Sequence, residues 1–600
     1  MKNPLRIISR FWLAALPAVT VFSAVTSAQI RPTTVVKNGY EIELRSDSRI
    51  FADEFSAAGG VITLDEPSAT PGLPVVPQVQ FRGGNLQTND ATLDFFQMFP
   101  GFRTFIHSTQ SETSVAAFGG TVVTTYNSSA GLHIIPNPSG PGLVFDRIQL
   151  SGFSTSTDGG QTFTSGFFPG VGGIPVSFGD PSIDVDRHGT FFFAQLGEDL
   201  TGHGALTVNS STDGIHWNNA VVAAVDDGSD KEWLAVGPDP FKKDQDNVYV
   251  TWTSFQPTGE ILGFAKSTDG GVTWTSRFIF APAADPDPTH PQNALQFSNP
   301  VVDSFTGRLY VPFARFSNSD TDFIQMLISD DGGATFRFAT FNAPGAPDPT
   351  LLPIVQPGEL TECGATRVSP RRFAVNLRLT LHAGTDVGGS LTGLRRFVNA
   401  TRLVAQPAIA ARNGVVYLAW NNSTSPFFGD PNGNSNIMFL RSDDGGSTWT
   451  APIPVNSPGD PHHVHPSLSI GDAPESVHIS YYTQHGDDSL DLDMANSHDR
   501  GDSFLADRTV RVSSTSFALP PTNIPLPTAS NPFGTTNYDR NIARCYALGE
   551  YQSVRAANGR VYVSWGDSRN TITHPVNSLD PLSGKTHPQE DVFFQIVKAQ

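Results

Sequence analysis

Short runs of alternating apolar and polar residues fill most of this chain, and turn residues interrupt them at frequent intervals. The stretch Pro407-Ala-Ile-Ala-Ala-Arg-Asn413-Gly414-Val-Val-Tyr-Leu-Ala-Trp420 is representative. Two alternating runs flank an Asn-Gly pair, and that pair predicts a tight hairpin because both residues tolerate positive φ. The same grammar recurs in Asp184–Phe193 and in Asp303–Val311, and it returns in Val554–Trp565 around Asn558-Gly559. Each unit reads as a strand of small residues, a turn, a strand ending in aromatics, and a third strand. The period of two along these runs excludes a helical bundle.

The third strand of each unit leads into a recurring octapeptide. It stands as Ser156-Thr-Asp158-Gly-Gly-Gln-Thr162-Phe163, Ser267-Thr-Asp269-Gly-Gly-Val-Thr273-Trp274, Ser329-Asp-Asp331-Gly-Gly-Ala-Thr335-Phe336 and Ser442-Asp-Asp444-Gly-Gly-Ser-Thr448-Trp449. Ser497-His-Asp499-Arg-Gly-Asp-Ser503-Phe504 is a looser copy, and Ser211-Thr-Asp213-Gly-Ile-His-Trp217 is one residue short. Successive aspartates are 55, 56, 62, 113 and 55 residues apart. Asp before Gly-Gly predicts a turn in which the carboxylate accepts from nearby amides, and the closing aromatic predicts a buried plug. These aspartates are expected to be structural.

The octapeptide resembles the Asp-box, or BNR repeat, of the sialidase superfamily of β-propellers. The resemblance implies an all-β fold: a single propeller of seven four-stranded blades, with six or eight as the alternatives. It places the boxes between third and fourth strands, on the face opposite the ligand. Units are expected at about 112–170, 180–228, 230–285, 292–345, 400–458, 462–518 and 546–600. Insertions are expected at about 346–400, where an eighth blade is the alternative, and at 519–545. The last unit has no box, and Thr34–Leu44, within an N-terminal segment spanning 29–111, is the candidate strand to complete it.

Residues 1–28 read as an export signal, with Lys2, Arg6 and Arg10 ahead of an apolar run from Phe11 to Val25 and small residues to Ala28. A secreted or periplasmic protein without a membrane span in its mature form is expected, an uncleaved anchor being the alternative. The net charge of −19 argues against nucleic acid as a partner. Glycans or glycoconjugates are the expected partners, and a monomer the expected state. Phe 43 against Tyr 11 points to apolar filling between sheets. The two cysteines, Cys363 and Cys545, can bridge in an oxidising compartment, with buried thiols as the alternative.

In the family, first strands begin at the ligand face and second strands end there. That rule collects Glu112, Asp180 and Asp230 among others, and from the set Lys231, Glu232, Arg315, Arg402, His465, Glu550, Tyr551, Asp567 and Arg569 are taken as the lining residues. The resemblance implies an arginine clamp for a substrate carboxylate, for which Arg315, Arg402 and Arg569 are the candidates, with Lys231 and His465 as further substrate contacts. It also implies a Tyr nucleophile activated by Glu, assigned to Tyr551 and Glu550, with Glu232 and Asp567 as further catalytic carboxyls. The family's Arg-Ile-Pro signature is missing, and Arg147-Ile148-Gln149 does not replace it. His462-His463-Val-His465 is a further cluster of titratable groups, suited to a base in a lyase more than to a metal site. No cofactor is expected; a structural calcium ion is left open. The expected function is a sialidase-like glycoside hydrolase, and the alternatives are a non-catalytic glycan- or protein-binding propeller and a propeller polysaccharide lyase.

Overall fold

The computed structural model describes residues 34–37, 40–43, 76–77, 85–89, 110–136, 143–257, 259–282, 294–316, 321–355, 406–424, 434–456, 462–471, 476–485, 489–505, 509–518, 551–573, 576, 584 and 586–598. The export signal, Arg402, Glu550, Cys363, Cys545, the 519–545 segment and most of the 346–400 segment lie outside these residues. Among the described residues there is no helix, and hence none long and apolar enough to cross a membrane.

Strands follow one another as antiparallel groups of four. Group I holds Gln110–Phe118, Thr121–Pro136, Leu143–Ser156 and Thr164–Phe167. Group II is Gly179–Val185, Phe191–Glu198, Gly204–Ser211 and Val221–Val225, and group III is Ser229–Pro238, Asp246–Gln256, Gly259–Ser267 and Thr275–Phe280. Group IV pairs Ala294–Gln296 and Val301–Val302 with Leu309–Phe316, followed by Thr321–Ser329 and, on its far edge, Arg337–Phe338 and Leu352–Val355. Group V runs from Ala408–Arg412 through Val415–Ser423 and Ser435–Ser442 to Ile453–Pro454. Group VI comprises His462–Ile470, Val477–Gln484, Ser489–Ser497 and Thr509–Arg511, and one parallel bridge, Ser435 to His462, joins it to group V.

Group VII holds Ser553–Ala557, Arg560–Thr573 and Thr586–Lys598. The edge of its third strand is taken by Leu86–Gln87, opposite Phe593 and Phe594. Thr34–Lys37 and Tyr40–Glu43 form a hairpin that pairs with Thr571–Thr573 at the far end of the second strand. The strand beside Phe593 therefore comes from the 29–111 segment, but from Leu86 and not from Thr34–Leu44.

The hairpin turns follow the sequence chemistry. Asn413 and Gly414 have φ of 51° and 79°, and Asn558 and Gly559 have 53° and 68°, the left-handed pair a two-residue turn requires. The octapeptide turns are built alike. Asp158 accepts from the Thr162 amide at 3.0 Å and from its hydroxyl at 2.6 Å, while Ser156 Oγ accepts from the Gly160 amide at 2.8 Å. Asp269, Asp331, Asp444 and Asp499 repeat this pattern. All six turns join the third strand of a group to the fourth.

The aromatic that closes each turn reaches back to the preceding group. Phe163 packs edge-on against Phe594 of group VII at 4.9 Å, Phe336 against Phe264 of group III at 5.3 Å and Phe504 against Phe439 of group V at 5.1 Å, while Trp449 stacks on Phe341 of group IV at 5.0 Å. Trp217 contacts Phe153 and Phe168. Phe163 is buried, whereas the other five are half-buried. They seal seams between groups, and solvent still reaches one edge of each ring.

The core is divided among these seams. Val123 and Phe153 pack with Ile183 and Phe193, Leu206 with Leu234 and Trp252, Tyr249 with Leu309 and Phe313, and Ile324 with Val416 and Trp420. Phe439 packs with Ile479 and Tyr481, Leu492 with Val563 and Trp565, and Tyr562 and Phe594 with Val115 and Val122 of group I. First strands lie side by side without a shared ladder, so their amides need other acceptors. Serine hydroxyls supply them: Ser553 accepts from Val115 N, Ser114 from Ile183 N, Ser182 from Leu234 N and Ser467 from Val554 N, at 3.0–3.2 Å. The architecture is propeller-like, with the first strands innermost.

Candidate functional site

Five first strands begin with the same irregularity. The pairing register slips by one residue between Ser111 and Ser114, Gly179 and Ser182, Asp230 and Trp233, and Val464 and Ser467. Group IV slips likewise between Gln296 and Val301. The first extra residue in each bulge is left-handed: Glu112, Asp180, Lys231, Phe297 and His465 have φ of 55°, 57°, 50°, 63° and 51°. None is glycine, so each bulge stores roughly 1 kcal/mol of backbone strain. Strain repeated at one structural position, and filled by charged or aromatic side chains, marks a site.

Three of these side chains meet. Lys231 Nζ donates to Glu112 Oε1 at 2.9 Å and lies 3.5 Å from Asp180 Oδ1. Glu112 Oε2 accepts from Asn127 Nδ2 at 2.5 Å, and Asn127 Oδ1 accepts from the Asp180 amide at 2.9 Å. The ammonium stands 4.8 Å from the centre of the Tyr551 ring, which is edge-on to Trp233. Glu112 and Lys231 are buried, while Asp180, Asp230 and Trp233 are half-buried at the solvent side.

Glu232 follows Lys231 in the bulge, where the other groups have Thr113, Pro181, Ser298 and Pro466. It is 1% exposed, and neither carboxyl oxygen has a hydrogen-bond partner. Burial, reinforced by Asp180 and more weakly by Asp230, and only partly offset by its own backbone amide and by Lys231, holds its carboxyl well above the usual carboxylate range. Glu590 is raised the same way, by burial and then by Glu112, Asp567 and Asp591. The site thus sets a buried carboxyl with its pKa pushed upward beside a lysine-paired carboxylate, a difference of environment of the kind acid/base chemistry uses.

Other candidates are committed elsewhere. Tyr551 is buried, its hydroxyl donates to the Pro181 carbonyl at 3.1 Å, and burial together with Glu112 raises it well above its ordinary value. Arg569 is ion-paired with Asp567 two residues earlier on its strand, donates to Ser514 Oγ at 2.8 Å, and covers the Phe593 ring at 4.1 Å. Asp567 also accepts from Trp565 Nε1 at 3.0 Å. Arg315 donates to Gln325 Oε1 at 2.8 Å and lies over Phe280 at 5.5 Å. Each of these two arginines thus has its own partners within the chain, Gln325 for Arg315 and Asp567 and Ser514 for Arg569. His465 occupies the left-handed position of its bulge, its ring edge-on to Tyr482 at 5.9 Å. Among the described residues no group of three His, Cys, Asp or Glu could hold a metal ion.

Glu112 and Asp180 stand at strand starts in the sequence, but nothing local indicates that a lysine from group III reaches both. The strand-start rule collects both; what it misses is that they share Lys231, although each occupies the same offset in its unit as that lysine.

No family model matches the chain, and no curated protein does. Solved structures similar to it include the Hadza microbial sialidase Hz136, 14% identical, covering 70% of this chain and 65% of that one at a TM-score of 0.34. A Trypanosoma rangeli sialidase in complex with the inhibitor DANA is 14% identical, with 72% and 56% covered and a TM-score of 0.33. The polysaccharide lyase Uly1 is 8% identical, with 82% and 91% covered and a TM-score of 0.41. The chain spans less than two thirds of the length of both sialidases. At such identities no residue role passes from them to this chain.

Proposed function

We propose that the protein is an exported, monomeric, seven-bladed β-propeller that hydrolyses glycans, with its site at the inner strand starts of groups I, II, III and VII. Packing of group VII against group I supports a closed ring of seven. The observation that carries the hydrolase reading is the buried Glu232 carboxyl beside the Lys231–Glu112 pair, where burial favours its neutral form. Glu232 would protonate the departing glycosidic oxygen, and Asp180, half-buried and near Lys231, would face the positive charge that develops on the sugar ring. The reading needs no cofactor. It is sialidase-like in fold and site location, but Arg315 and Arg569 each have their own partners within the chain, so it is not restricted to sialosides.

A non-catalytic glycan-binding propeller is the second reading, favoured by the depth of Glu232. Both are tested by measuring release of reducing sugar and of chromogenic sialosides and arabinosides, alongside binding to a glycan array. Hydrolysis by the wild type that drops at least about a hundredfold in Glu232→Gln supports the proposal. Array binding without release supports the second reading, and an unsaturated product would point to a lyase.

A further inference from the structure

The seam between groups V and VI holds two polar side chains that the hydrolase site does not use. His463, 2% exposed, places Nδ1 3.1 Å from Thr483 Oγ1, and Thr483 donates its only hydroxyl proton to Asp493 at 2.6 Å. Thr483 can therefore only accept from His463, which fixes the proton on Nδ1. Nε2 is left with a lone pair, buried and without a partner. Burial, with His462 and His485 nearby, pushes the imidazole down to about 3, so it stays neutral.

Asn421 is fully buried, and both its amide oxygen and its amide nitrogen lack partners. It is two residues beyond Ala419 and so shares the face of Tyr417 and Ala419. That face packs in one cluster with Ile479 and Tyr481. Tyr481 in turn lies edge-on to the His463 ring at 5.3 Å. Both residues sit near strand ends, Asn421 close to the end of Val415–Ser423 and His463 second in His462–Ile470. Buried polar atoms of this kind are normally hydrogen-bonded, and two in one seam call for an explanation.

We propose that this seam is a subsite for a neutral sugar unit, with His463 Nε2 accepting from one hydroxyl and the Asn421 amide donating to and accepting from its neighbour. A vicinal diol supplies both a donor and an acceptor on adjacent carbons. A charged group would be desolvated without a counter-charge, and one imidazole with one amide is too small a set for a metal ion. Thr483 and Asp493 act as positioning residues by holding the tautomer. The proposal rests on the glycan-acting reading but not on the hydrolytic step.

The test is calorimetric titration of the full chain with neutral gluco-, galacto- and xylo-oligosaccharides, with thermal melts and histidine 15N spectra recorded on the same samples. Asn421→Leu removes two buried orphan polar atoms, so it should raise Tm while weakening sugar binding about tenfold. Thr483→Val should weaken binding and release the His463 tautomer, seen as exchange between the two nitrogen resonances. In the wild type, sugar should shift the unprotonated Nε2 resonance. The proposal is overturned if no neutral oligosaccharide binds, or if Asn421→Leu lowers Tm and leaves affinity unchanged. Binding without turnover upholds the subsite and removes the hydrolase reading. Turnover with affinity untouched in both variants does the reverse.

Discussion

Replacing Glu232 by glutamine keeps the side chain's size and removes one titrating proton. Burial, then Asp180, raises this carboxyl well above 4.5, the value it takes when exposed, as in the unfolded chain. Between that value and the folded one, the native state holds a proton that the unfolded state has released. The state that binds more protons gains as pH falls, so this group's contribution is complete below the unfolded value and lost as pH rises. The loss is about 1.4 kcal/mol per pH unit for a single proton. The glutamine variant has no such slope. Its amide is buried without partners too, but that penalty does not vary with pH and leaves the slope clean. Urea denaturation of both proteins at fixed ionic strength, from about pH 5 upward, should show the variant gaining on the wild type by about 1.4 kcal/mol per unit. A constant offset, or a gap that closes with rising pH, would mean that Glu232 is ionised in the folded protein, and the proton-donor role would go with it.

Lys231→Met strips Glu112 and Asp180 of their counter-charge and should cost about 3–5 kcal/mol at neutral pH by urea denaturation; a loss below about 1 kcal/mol would show that solvent screens the pair. Tyr551→Phe removes one neutral hydrogen bond to Pro181, so it should cost about 1 kcal/mol and leave turnover intact; abolished turnover with a normal melt would return the phenol to the mechanism. Asp269→Ala, on the turn face, should cost about 1–2 kcal/mol without changing any glycan activity. The Thr273 hydroxyl and amide and the Ser267 hydroxyl hold Asp269 at about 2. Its contribution is therefore present above pH 3.8 and lost as pH falls towards 2, and acid melts of wild type and variant should converge there.

The repeating architecture was legible because its determinants are local. Asp, two glycines and a hydroxyl within eight residues specify the turn wherever they occur, and Asn-Gly does the same for the hairpins. The site was legible only in outline. Strand starts could be counted off, which found Lys231 and Glu232, but the bulge that turns Lys231 towards Glu112 and Asp180 has no composition signal. The pairing of Arg569 with Asp567, two positions away on the same strand, likewise depends on a backbone irregularity between Asp567 and Asn570 that composition does not announce. Leu86–Gln87 could not be anticipated as the strand beside Phe593, since two residues carry no periodicity.

The five left-handed bulge positions separate folding from recognition. Glu, Asp, Lys, Phe and His all occupy the same backbone trajectory, so the trajectory is imposed by the strands on either side and is indifferent to the side chain it displays. Each position behaves as a socket of fixed backbone, with the side chains at 112, 180 and 231 tied to one another by their charges. A library that varies residues 112, 180 and 231 together, keeping their charges complementary, would therefore explore ligand chemistry at a backbone strain already present. Such sockets give a repeat protein a route to new specificities that does not pass through new folds.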